Sequence, residues 1–306
     1  MGARPCLIID LVVGRGEITD AAWSRIEPPL PQRDNAGRPW RDHRQVANGV
    51  LWRLRTGAPW RDLPERYGPW QTVYRRFARW EKDGTWARLL QQVQVRDDAV
   101  GAVEWTVSVD STVARAHQHA AGARKKGPEA GDESEDPAAV TRREALGRSR
   151  GGLTTKVHLA VDGRGLPLSI VLSAGNTADC TMFPAVLDAI RIPRTGAGRP
   201  RTKPDRVVAD KAYSSRKIRR LLRRRGIKAT IPERRDQIAD RARRAGGGGR
   251  PPAFDKVAYR GRNVVERCFA RLKQFRAVAT RFDKLAARYR ASVVIAALFL
   301  WLRAGG

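Results

Sequence analysis

Apolar positions along residues 17–95 recur at helical spacing. In "EITDAAWSRIEPPLP", Ala22, Trp23 and Ile26 share one face behind Thr19 or Asp20 as an N-cap. "RDHRQVANGVLWRLRTG" sets Val46, Val50, Leu51 and Leu54 in a stripe, and Gly57 is placed to stop that helix. "GPWQTVYRRFARWEKDG" puts Trp70, Val73, Tyr74, Phe77 and Trp80 on one face, with Arg75, Arg76 and Arg79 beside it. The pattern predicts a small all-helical unit joined by short Gly/Pro turns.

From residue 103 the period changes to two. In "VEWTVSVDST", Trp105, Val107 and Val109 alternate with Thr106, Ser108 and Asp110, which predicts a strand with Asp110 at its end on the polar face. Residues 114–150 are polar and irregular, with an acidic patch "EAGDESED", and are expected to form a surface loop. "LTTKVHLAV" and "LPLSIVLSA" flank "DGRG", a hairpin signal. "DCTMFPAVLDAIR" reads as a helix despite Pro184, "DRVVAD" as a buried strand ending on Asp210, "SSRKIRRLLRRRG" as a capped helix and "IKATI" as a further strand. Residues 233–258 read as an Arg/Gly-rich loop, and a long helix is expected from about Tyr259. This order predicts an α/β (α+β) fold, a mixed sheet flanked by helices. The chain then divides into an unassigned segment 1–16, a helical domain 17–95 and a mixed domain 96–306.

Charge adds a partner. The 306 residues hold 60 Lys+Arg against 31 Asp+Glu, a formal net charge of +29. A GC-rich genome would explain Arg in place of Lys, but not bases outnumbering acids about two to one, so a polyanion such as DNA is expected. The helical domain with basic faces then suits a helix-turn-helix-like DNA reader, through Arg75, Arg76 and Arg79; a bundle with solvated arginines fits the same pattern. No membrane partner is expected, because "ASVVIAALFLWL" falls short of the roughly 20 residues a span needs and reads as a core helix. The N-terminal apolar stretch carries Asp10 and no small-residue cleavage site, unlike a signal peptide. Cys6, Cys180 and Cys268 form no CxxC pair, which fits a reducing cytoplasm. His117 and His119 lack nearby partner ligands in the sequence and read as plain loop residues.

Asp110 and Asp210 each close an apolar strand, where ligand sites of open α/β sheets collect. Neighbouring carboxylates repel, and one would take up a proton unless a cation intervenes. A hard divalent ion with oxygen ligands resolves the conflict. In "YRGRNVVERCFARLK", at about 100° per residue, Tyr259, Arg262, Glu266 and Lys273 fall within a roughly 60° stripe. Alone, the Arg262–Glu266 spacing favours a surface ion pair over a site.

The same stretch matches Y-x2-R-x3-E-x6-K at each defined position, and so resembles the signature helix of a group of bacterial insertion-sequence transposases of the DDE class. "VSVDST" and "VVADKAYSS" resemble that group's two Asp strands, "GRSRGGLTTKVHLAVDGRGLPLSIVLSAGNTAD" its intervening hairpin, and "GAPWRDLPERYGPWQTVYRRFARW" its N-terminal domain. The resemblance covers nearly the whole chain from about residue 17. It implies an RNase H-like catalytic domain in which Asp110, Asp210 and Glu266 form the DDE triad on two Mg²⁺ (or Mn²⁺) ions. It also implies that Arg262 and Lys273 contact the transposon end, with Tyr259 supporting or stacking there. The implied reaction is metal-dependent cleavage at the element's ends followed by transfer of the freed 3′-OH to target DNA. The implied partners are double-stranded end and target DNA, with a homodimer at work in a cytoplasmic, nucleoid-associated setting. Arg216, Lys217 and Arg220 offer a backbone track along a helix that could also be merely solvated. Two other readings share these features: a sequence-specific DNA-binding protein, and an RNase H-like nuclease without strand transfer.

Overall fold

Capping chemistry sets the helix ends. In the computed structural model, which describes residues 16–31, 40–121 and 144–305, Thr19 caps Asp20–Ile26 by accepting the Ala22 N–H at 3.1 Å. Asp42 caps His43–Thr56 through the Gln45 N–H at 2.6 Å. Gly57 ends that helix at φ 70°, a left-handed turn that glycine enters without a Cβ penalty. The segment 1–15 and the acidic patch 129–136 lie outside the described residues.

The described residues fall into two compact units. One is drawn from Met1–Asp97, Arg115–Ser134 and Arg271–Gly306, the other from Asp98–Ala114 and Glu135–Ala270. In the first, the apolar stripes meet as the sequence predicts: Trp23, Val46, Val50, Leu54, Val73, Phe77 and Trp80 are buried. The helix Ala286–Ala304 packs against these helices, and its residues 291–302 are all buried. A helix apolar on every side has to be enclosed on every side. The Arg53 guanidinium pairs with Asp283 at 3.0 Å inside this unit.

The second unit is built on a mixed sheet. Its strands are β1 (Thr106–Ala116, the last two residues belonging to the first unit), β2 (Gly147–Ser149), β3 (Gly152–Val161), β4 (Pro167–Ala174), β5 (Arg206–Ala209) and β6 (Lys228–Thr230). The order runs β3–β1–β5–β6, with β2 and β4 both pairing antiparallel to β3. β1, β5 and β6 are parallel. This is the mixed sheet flanked by helices that the sequence pattern predicts. The helix Asp179–Asp188 packs on β3 and β4, and Arg216–Arg224 packs on β6. In the β3–β4 hairpin, the buried Asp162 carboxylate accepts the Arg164 and Leu166 N–H groups at 3.1 and 2.7 Å, and Gly165 takes φ 80°.

Five expectations are corrected. Asp110 does not end its strand: β1 continues to Ala116, and what stops at Val109 is its pairing with β5. Ser108 is buried along with Val107 and Val109, so β1 is covered on both faces there. Within 114–150, β1 runs on, a short helix spans Gln118–Ala121 and β2 forms an edge. Residues 233–258 are not all loop, because Arg235–Arg243 is a helix. Nor is one long helix continuous from Tyr259: Lys256–Arg260 ends at Gly261, and Asn263–Lys273 begins anew. Between them the backbone bonds run i to i−3, from Gly261 N–H to Ala258 O and from Arg262 N–H to Tyr259 O, a tightened turn.

Candidate active site

Strand register brings the two aspartates together. β1 and β5 pair in parallel up to Val109↔Ala209, so Asp110 and Asp210 are the next residues on adjacent strands. Strands about 4.8 Å apart in matching phase present such side chains on the same face. Asp210 turns out of the sheet, its carboxylate capping the turn Lys211–Tyr213 through the Ala212 N–H at 3.4 Å.

Asp110 is part-buried, with 23% of its side chain exposed. Its Oδ1 accepts the Ser111 N–H at 2.8 Å, and its Oδ2 accepts from Arg262 at 3.1 Å. Burial pushes its carboxyl above the ordinary carboxylate range; Ser111 and Arg262 oppose the shift, while the charges of Asp210 and Asp179 reinforce it. The other terminal nitrogen of Arg262 donates to Glu266 Oε1 at 2.5 Å. One guanidinium thus bridges Asp110 and Glu266. Burial works against its charge, but Glu266 and Asp110 outweigh burial and hold Arg262 above its usual value.

The three expected acids therefore stand differently. Asp110 and Asp210 are strand neighbours, and the exposed Glu266 is joined to Asp110 through Arg262. Among the described residues no three His, Cys, Asp or Glu side chains are gathered tightly enough to hold one ion. The donor chemistry of Asp110 and Asp210 nevertheless fits a hard divalent cation, which takes carboxylate oxygens. A cation there would also relieve the repulsion that adds to the effect of burial on Asp110.

Sequence reasoning missed the groups behind Asp110. The Ser111 hydroxyl donates to Asp179 Oδ1 at 2.8 Å, and Lys156 Nζ pairs with the same oxygen at 2.9 Å. Tyr213 is buried beside them, its hydroxyl pushed up by burial and then by the charges of Asp110, Asp179 and Asp210. The available signal was an acid at a helix start, in "GNTAD".

The DNA-contact candidates divide by exposure. Arg216, Lys217 and Arg220 lie exposed on Arg216–Arg224, whose Ile218 and Leu222 are buried. Tyr259 is half-buried against Phe254, and the Arg262 guanidinium lies 6.0 Å from its ring. Lys273 is exposed and falls in the first unit. There, Arg75 and Arg79 are exposed, but Arg76 is buried, over Trp40 at 4.4 Å and Trp80 at 5.5 Å. The His117 ring meets the rings of His119, edge-on, and of Phe282. No helix among the described residues is long and apolar enough to cross a membrane.

A family model described as "Transposase DDE domain" matches residues 101–301, and one described as "Putative transposase of IS4/5 family" matches residues 18–90. The "Uncharacterized protein y4sN" of Sinorhizobium fredii is 39% identical over 109 residues, 35% of this chain and 83% of that protein. The Burkholderia cepacia "Putative transposase for insertion sequence element IS402" is 36% identical over 139 residues, 45% of this chain and 57% of that protein. The corresponding protein of IS6501 from Brucella ovis is 30% identical over 151 residues, 49% of this chain and all of that protein. Among solved structures, the Mos1 transposase paired-end complex with left transposon end aligns over 83% of this chain and 85% of that one. Its identity is 12% and its TM-score 0.25, a level that fixes nothing about this chain. With the DDE model spanning well over half of its length, this chain belongs to the transposase family that carries the DDE domain.

Proposed function

We propose that Asp110, Asp210 and Glu266 are the triad of a Tyr-Arg-Glu-Lys-type insertion-sequence transposase acting on two Mg²⁺ or Mn²⁺ ions. The observation that carries this reading is the register of β1 and β5, which makes Asp110 and Asp210 neighbours, with Glu266 linked to Asp110 through Arg262. When bound, such ions activate a water for attack on a phosphodiester and stabilise the leaving 3′-oxygen. Asp110 and Asp210 supply the fixed oxygens, and Glu266 swings in as Arg262 transfers its hydrogen bonds from carboxylates to DNA phosphate. Tyr259 supports that phosphate end, and Lys273 holds the strand. The exposed Arg216, Lys217 and Arg220 track the backbone, trading counterions for phosphates. Residues 17–95 read the element's ends, residues 96–306 carry the chemistry, and a homodimer holds both ends in the bacterial cytoplasm, at the nucleoid.

The test is a cleavage and joining assay on a duplex carrying an element end. Asp110→Asn, Asp210→Asn and Glu266→Gln are each expected to lose Mg²⁺-dependent cutting while retaining DNA binding. Near-normal cutting by one of them removes that residue from the triad. A cut product that never joins target DNA leaves a nuclease rather than a transposase.

A further inference from the structure

We infer that Ser111 and Asp179 are positioning residues that fix the Asp110 carboxylate for metal binding, with Lys156 anchoring Asp179. The inference rests on the reading of Asp110 as a metal ligand. The parallel ladder between β1 and β5 stops at Val109, so Asp110 and Ser111 lie beyond its last pair. The Ser111 side chain supplies a hold there. Its hydroxyl donates to Asp179 Oδ1 across 68 residues of chain, at 2.8 Å. That fixes the residue whose N–H is aimed at Asp110 Oδ1.

Asp179 is itself held. Lys156 Nζ, from β3, donates to Asp179 Oδ1 at 2.9 Å and to the Thr177 carbonyl at 2.8 Å. Asp179 opens the helix Asp179–Asp188, so its backbone belongs to a packed element rather than a free loop. The Lys156 and Asp179 side chains are 16% and 27% exposed, too enclosed for a purely solvated surface pair. The chain of contacts runs from β3 through the helix start to β1 and ends on a single carboxylate oxygen. Groups that hydrogen-bond behind a metal ligand set its orientation, and removing one typically costs 10- to 100-fold in metal affinity. The ammonium of Lys156 also offsets the Asp179 charge, so the anchor does not simply add a further anion beside Asp110.

The measurement is Mn²⁺ binding to the full chain without DNA, from the loss of the free-ion paramagnetic resonance signal. Asp110→Asn serves as reference. Ser111→Ala and Asp179→Ala are expected to weaken Mn²⁺ binding by about tenfold. Ser111→Thr, which keeps the hydroxyl, is expected to restore it to within about threefold of the parent protein. Parent-like Mn²⁺ affinity in Ser111→Ala and Asp179→Ala, with Asp110→Asn impaired, overturns the inference and leaves the triad intact. Weak binding in Ser111→Thr as well overturns it too, because the loss then comes from packing and not from the hydroxyl. Parent-like affinity in Asp110→Asn itself overturns the reading of the site beneath it.

Discussion

Arg262 donates to Asp110 across 152 residues of chain, at 3.1 Å, while its second terminal nitrogen holds Glu266. The guanidinium thus occupies the electrostatic place between two acids that a cation would take. A divalent ion binding these oxygens has to displace it. Arg262→Ala is therefore expected to bind Mn²⁺ several-fold more tightly than the parent in the absence of DNA, since the carboxylates lose their internal counter-charge. The same variant is expected to bind end-containing DNA more weakly. An Mn²⁺ titration of both proteins decides the point, and equal or weaker ion binding by Arg262→Ala counts against the displacement.

Asp162 gives the fold a pH dependence away from Asp110, Asp210 and Glu266. It is fully buried in the β3–β4 hairpin, and burial pushes its carboxyl up to about 6 against the opposing pull of the Leu166 N–H. The folded chain therefore holds this proton more tightly than the unfolded chain. Its stabilising effect is full below the ordinary carboxylate value near 4 and is lost as pH rises through about 6. Asn at this position keeps the oxygen that accepts from Arg164 and Leu166 but carries no charge. Asp162→Asn is expected to gain on the parent by on the order of 2–3 kcal/mol between pH 4 and pH 7. Urea unfolding at both pH values measures it, and a constant difference would refute it.

Much of this molecule is legible locally. Thr19 and Ser215 cap the helices their positions predict, Gly57 and Gly226 stop theirs in left-handed turns, and "DGRG" makes the hairpin. These signals act within a few residues, so a linear reading captures them. The helix Arg235–Arg243 buries none of its residues and so shows no apolar period to read. β2 is three residues long, too short for an alternation to register. The Ser111–Asp179–Lys156 contacts join polar residues from three separate elements, and no spacing rule links them. Asp110 and Asp210 were visible as acids after apolar runs, but their pairing depends on a register that only the folded sheet supplies.

The arginines of Trp70–Lys82 separate into two roles that the sequence places side by side. Arg76 donates to His43 Nδ1 at 2.6 Å, which leaves the other ring nitrogen to donate to the Pro31 carbonyl at 3.1 Å. Burial lowers both the Arg76 and His43 pKa values, consistent with a neutral imidazole accepting from a cation. Arg75 is exposed on the same helix. Arg76→Ala is expected to cost about 2 kcal/mol of stability through the lost stacking on Trp40 and Trp80 and the lost hydrogen bond. Arg75→Ala is expected to stay within about 0.5 kcal/mol of the parent but to weaken DNA binding. Thermal melts and a binding titration on the two variants separate the roles, and a melt for Arg76→Ala that matches the parent would contradict the packing role.

The helix Arg216–Arg224 turns Ile218 and Leu222 into the fold and leaves Arg216, Lys217 and Arg220 outside, with Arg223 and Arg224 continuing the charged face. Arg219 is an exception, because its guanidinium is spent on Ser214 Oγ at 3.2 Å and the Ile231 carbonyl at 2.7 Å. Charge alone therefore does not make a residue of this helix a candidate phosphate ligand; it must also be exposed. Each phosphate they neutralise releases counterion, which steepens the salt dependence of binding by about 0.9 in log–log slope. Replacing Arg216, Lys217 and Arg220 together by Ala is expected to lower affinity for any duplex, with or without an element end, and to flatten that slope by about 2–3. Arg219→Ala is expected to leave the slope unchanged while lowering stability, because it removes a buried carbonyl's partner. Binding isotherms between low and physiological salt give both slopes. A triple variant with the parent's slope would make this face a solvated surface and move the DNA track elsewhere on the molecule.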